Sequence, residues 1–135
     1  MGDNFSILKD KLGGLSFVDS SKPSGLPFER IKDAVLGKNY ELSLVFIGRK
    51  YSQTLNKKYR GKGKPANILS FPLSKTSGEI FICPETAKKD ARKFEMKERE
   101  FIGYLFIHGL LHLKGLKHSS TMERAEEKIR LKFSI

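Results

Sequence analysis

The sequence predicts an α+β fold, a small mixed sheet of about four strands covered by about five helices. Three observations lead there. Helical and strand-like segments alternate only partly along the chain. Residues 67–71 and 79–82 read as two strands joined by a short turn-like stretch, which makes an antiparallel hairpin. Residues 97–113 form a helix that is apolar nearly all round, through Phe101, Ile102, Tyr104, Leu105, Phe106, Ile107, Leu110 and Leu111. Such a helix belongs in the centre of a domain. With 135 residues the chain is read as one domain with a real core.

The elements follow in order. Residues 5–8 are weakly strand-like, and residues 9–25, rich in Gly, Ser and Lys, read mainly as loop. Pro27 suits the start of a helix that runs to Leu36 and ends at Gly37, with Phe28, Ile31, Val35 and Leu36 as its apolar face. Residues 41–47 are rich in branched and aromatic side chains and read as a strand. Residues 51–59 read as a helix with Ser52 near its start, followed by a basic turn over 61–65. Pro84 opens a helix to about Phe94. Gly103 and Gly109 cost helix propensity in the apolar helix, which close packing against a neighbour would justify. Ser119 or Ser120 can cap a final helix, about 122–133.

Composition limits the function classes. Apolar residues make up 39% and charged residues 30%, as in soluble globular proteins. The net charge of +11 favours nucleic acid or another polyanion as partner. The single cysteine, Cys83, excludes an intrachain disulfide and is read as a small buried residue. No signal peptide is visible, and the apolar stretch 101–113 is too short to span a bilayer, so a cytoplasmic location without a membrane partner is the default expectation.

All three histidines lie within eleven residues, His108-Gly-Leu-Leu-His112-Leu-Lys-Gly115-Leu-Lys-His118. Histidines four apart on a helix share a face. Gly115 can end the helix and turn the chain back, so that His118 approaches the other two. Three imidazoles brought together in this way suit one divalent ion with an open fourth position, the usual plan of a catalytic zinc site. The ligands would sit at the electronegative C-terminal end of the buried helix. The spacing also matches the zinc-protease pattern H-E-x-x-H-x-x-G-x-x-H, but the position of its general base is Gly109, which has no proton chemistry.

The histidine segment resembles the H-G-x-L-H-L-x-G-x-D-H signature of the YbeY family of metal-dependent endoribonucleases. Leu55-Asn56-Lys57-Lys58-Tyr59-Arg60-Gly61-Lys62 followed by Pro65-Ala66-Asn67-Ile68-Leu69-Ser70-Phe71-Pro72 resembles the family's L-N-x-x-Y-R-x-K and P-T-D-V-L-S-F-P. Gly78-Glu79-Ile80-Phe81-Ile82 is similar to its G-D-I-x-I strand. The resemblance implies a single-strand-specific endoribonuclease acting in small-subunit ribosomal RNA maturation and ribosome quality control. It implies one Zn2+ per chain on His108, His112 and His118, and single-stranded RNA, ribosomal RNA or the small ribosomal subunit as partner.

Arg60 is the second candidate, as a catalytic residue. Its planar fork can hold phosphate oxygens and stabilise transition-state charge. Lys57, Lys58, Lys62 and Lys64 surround it and can hold an RNA backbone, although a lysine run is most often a solvated face. Tyr59 either stacks on a base or, as is commoner for a tyrosine ending a helix, faces the core. Two positions depart from the family pattern: Lys117 and Asn67 stand where it has aspartates. An acidic group beside a ligand can orient it or handle a proton, and lysine does neither in the same way. No side chain is assigned as general base. Three other readings stay open: a non-catalytic, zinc-containing ribosome-assembly factor, a metal-dependent hydrolase of another substrate, and a plain nucleic-acid-binding module.

Overall fold

Four strands and five helices are present among the residues that the computed structural model describes, 15–17 and 25–135. The strands are β1 (Leu15–Phe17), β2 (Glu41–Phe46), β3 (Ile68–Ser74) and β4 (Ser77–Ile82). The helices are α1 (Phe28–Leu36), α2 (Arg49–Arg60), α3 (Pro84–Lys93), α4 (Glu98–Leu113) and α5 (Ser120–Phe133). The strand expected at residues 5–8 lies outside the described residues. The loop expected over 9–25 is corrected at 15–17, where β1 pairs in parallel with β2.

The sheet order is β1-β2-β4-β3. β2 and β4 run parallel, and β3 and β4 form the expected antiparallel hairpin, closed by Lys75 and Thr76 and irregular between Pro72 and Ser74. Side chains alternate between the two faces, as the period of a strand requires. Leu42, Leu44, Phe46, Ile80 and Ile82 enter a large core with α1, α3, α4 and α5. Val45, Phe81 and Leu69 enter a smaller one with Leu55 of α2, Ile47 and Cys83. Cover on both faces explains why the second halves of these strands, Leu44–Phe46 and Ile80–Ile82, are apolar without interruption.

The two glycines of α4 mark where this helix meets its neighbours most closely. A Cβ on Gly109 would lie 2.8 Å from Ile68 Cδ1 and 2.8 Å from Ser70 Oγ of β3. A Cβ on Gly103 would lie 2.8 Å from Ile135 Cγ2. Close packing therefore outweighs the propensity cost, and Gly109 seats the histidine-bearing helix directly on the hairpin. No helix among the described residues is long and apolar enough to cross a membrane.

Candidate metal centre

The last turn of α4 delivers two imidazoles, and the chain then reverses to deliver a third. Gly115 has φ of 106°, in the region where glycine alone is unstrained. Its N–H donates to the His112 carbonyl, and Leu116 N–H donates to the Leu111 carbonyl, a Schellman closure of the helix. Two residues beyond Leu116 stands His118. The next residue, Ser119, caps α5: its Oγ accepts from Met122 N–H at 3.2 Å and donates to the Lys117 carbonyl. His118 is thus held between a helix stop and a helix start.

The three imidazoles offer ligand atoms that all lie within 4.8 Å of one another. His108 Nε2 and His112 Nε2 are 3.0 Å apart. Ligand nitrogens of a tetrahedral zinc ion, bound at the usual bond length, stand about 3.3 Å apart. The donor set therefore fits a small divalent cation. Burial, and then the neighbouring His108 and His118 rings, hold His112 below the ordinary histidine pKa. That keeps its imidazole neutral, the form that binds metal.

Glu126, in the second turn of α5, supplies a carboxylate that the motif did not announce. Its Oε2 meets His108 Nδ1, and both side chains are largely buried. With its proton on Nδ1, His108 keeps the Nε2 lone pair for a ligand. The acidic orienter thus reaches the first histidine from another helix. Lys117, at the position of the family's aspartate, is exposed and does not line the cleft.

A cleft of about 1550 Å³ joins the histidines to the second candidate region. Its walls include His108, His112, His118, Glu126, Arg60 and Lys64. Arg60 is exposed at the last position of α2. Gly61, left-handed at φ 69°, stops the helix there. Three side chains of α2 then tie down the basic loop. Gln53 Nε2 donates to the Gly63 carbonyl at 2.8 Å, and Asn56 Nδ2 to the Lys64 carbonyl at 2.7 Å. Ser52 Oγ donates to the Ala66 carbonyl and accepts from the Ala66 N–H. The pinned loop carries Lys62 and Lys64 into the cleft lining, while Lys57 and Lys58 are exposed outside it. Tyr59 does not face the core: it is 50% exposed, tilted on Phe71 with ring centroids 5.1 Å apart.

Asn67 has a local partner. Its Nδ2 donates to Asp90 Oδ2 of α3 at 2.9 Å. Cys83, at the N-cap of the same helix, is buried, as expected.

A small α+β protein with a histidine cluster fit for a metal ion, opening onto a basic cleft, is the class that fold and site define. The family model for endoribonuclease YbeY matches residues 28–133. The chain belongs to that family. Curated relatives carrying that name include the Bdellovibrio bacteriovorus protein, 35% identical over 64% of this chain and 59% of that one. The Colwellia psychrerythraea relative is 38% identical over 65% and 61% of the two chains, and the Neorickettsia sennetsu relative 34% identical over 73% and 77%. The chain thus spans about three fifths of the length of the first two relatives. Among solved structures, a Thermotoga maritima protein determined in solution superposes with a TM-score of 0.63 at 25% identity, covering 85% of each chain.

Proposed function

We propose that this protein is a cytoplasmic, zinc-dependent, single-strand-specific endoribonuclease acting in small-subunit ribosomal RNA maturation and ribosome quality control. The observation that carries this reading is one cleft lined both by three convergent imidazoles and by Arg60. In the proposal the whole chain works as a single domain. His108, His112 and His118 hold one zinc ion, and Arg60 is the catalytic cation.

Bound zinc would polarise a phosphoryl oxygen and lower the pKa of a water molecule. The chain's own groups do the rest. Glu126 keeps the His108 proton on Nδ1 and fixes the ring. Arg60 holds the phosphate oxygens in a bidentate grip and stabilises the charge that grows on them. Lys62 and Lys64, set by the bonds from α2, hold the neighbouring backbone. Half-exposed Tyr59 offers a ring face to an unpaired base, which a duplex would not supply.

Single-turnover cleavage of a single-stranded ribosomal RNA fragment tests the reading. The Arg60→Ala variant should cleave about 100-fold more slowly while keeping its metal. Cleavage by Arg60→Ala at the wild-type rate would remove Arg60 from the reaction. Wild-type protein that binds the fragment and never cuts it would favour an assembly factor instead.

A further inference from the structure

We propose that Arg130 is a second phosphate-binding residue, on the wall of the cleft formed by α4 and α5. The proposal rests on the RNA-cleaving reading above and extends it: the substrate strand is gripped by two arginines that line the cleft from different helices, Arg60 of α2 and Arg130 of α5.

Arg130 lines the same cleft as the three histidines. Its guanidinium carbon stands 5.4 Å from the centre of the Tyr104 ring. Tyr104 is one helical turn before His108, and the two rings are 6.1 Å apart. The cation is therefore two ring contacts from the first metal-binding imidazole. A guanidinium resting on an aromatic face is held in place without losing its charge.

This arginine is also unspent. Two acids lie one turn before it on α5, Glu126 and Glu127; neither pairs with it, and Glu126 is the i, i+4 partner that favours an arginine. Glu126 is turned to His108 instead. Among the described residues the Arg130 guanidinium has no ion pair, and its Nε is buried without a hydrogen-bond partner. Of the buried polar side-chain atoms left unpartnered among the described residues, it is the one on a charged group. A guanidinium that lines a cleft without an anionic partner of its own can offer its planar fork to an anionic oxygen that enters there. The ligand chemistry that fits is a phosphodiester oxygen: singly charged, able to accept from a planar fork, and repeated along a strand at a spacing that lets two arginines hold different phosphates.

The test is anisotropy of a short fluorescein-labelled oligouridylate, confirmed intact on gels, titrated with the full chain over a salt series. Arg130→Gln should weaken binding about tenfold at low salt and reduce the log–log salt slope by about 0.7, the share of one phosphate contact on a single strand. Arg124→Gln removes an equal charge from the same helix, at an exposed position outside the cleft, and should change affinity less than about twofold, because salt screens an exposed charge that makes no contact. Equal affinity and slope for wild type and Arg130→Gln would overturn the proposal and leave the RNA reading standing. An equal loss in both variants would also overturn it, because it would mean a diffuse field rather than a contact. If circular dichroism shows Arg130→Gln unfolded, Arg130→Lys carries the test. Weaker binding with an unchanged slope then supports the contact, and unchanged binding refutes it. Failure of the wild type to bind would refute the RNA reading itself, and this proposal with it.

Discussion

Glu126 meets His108 through Nδ1, while Nε2 of the same ring lies 3.0 Å from His112 Nε2. One face of the imidazole is anchored to α5 and the other is offered to the cluster. The final helix, which contributes no histidine, therefore sets the geometry of the site.

Replacing that carboxylate should loosen the cluster without removing a ligand. Glu126→Ala is expected to lower zinc affinity about 10- to 100-fold, with Glu126→Gln, which keeps an acceptor oxygen, falling less. Competition against a zinc chelator at fixed pH measures both. Wild-type affinity in Glu126→Ala would show that the contact has no part in metal binding.

Asn67 stands where the family pattern has aspartate, and its N–H is given to Asp90. Asn67→Asp would restore the pattern but replace a donor with a second carboxylate. The expected cost is about 1–3 kcal/mol at pH 7. Urea denaturation at that pH measures it. A variant as stable as wild type at pH 7 would mean that the side chains move apart freely.

Gly109→Val should destabilise the fold by about 1–3 kcal/mol, because any Cβ meets Ile68 and Ser70 at 2.8 Å and a branched one cannot withdraw. Thermal unfolding reads this directly. Unchanged stability would mean that α4 and β3 separate at little cost, and that this glycine is no packing requirement.

Acid should weaken the metal-free protein through His112. Burial and the two neighbouring imidazoles depress its pKa in the folded chain. The unfolded chain then takes up the proton first, near the usual histidine value of about 6.5. Below that pH the unfolded state binds more protons, so the stabilising contribution of neutral His112 is present above about pH 6.5 and is lost as pH falls through the lower folded value. Melting temperatures between pH 7 and 5 should fall more steeply for wild type than for His112→Gln. Parallel curves would contradict the assignment.

The histidine cluster was legible because its ligands are local: a helical pair, a glycine stop and a residue three beyond it. The hairpin, the helix starts at Pro27 and Pro84 and the buried α4 were legible for similar reasons, since apolar period and glycine or proline punctuation act within a few residues. Other features depend on packing between distant segments. Glu126 is 18 residues from His108 and reads as an ordinary helix-surface acid until α5 docks. Asp90 is 23 residues from Asn67. β1 lies in a stretch whose glycines and serines hide three residues that pair with β2. The exposure of Tyr59 is not legible in the sequence, because a helix-ending tyrosine has no periodic signal to show that α2 leaves its ring half exposed.

In the proposed reaction RNA cleavage depends on one zinc ion held by the histidine cluster. The direct measurement is to strip the protein with chelator, titrate zinc back, and follow single-turnover cleavage of a single-stranded RNA at each step. The expected result is no cleavage when stripped, a rise that levels off at one zinc per chain, and no recovery in His112→Ala. Cleavage that survives stripping, or that returns in His112→Ala as in wild type, would contradict it.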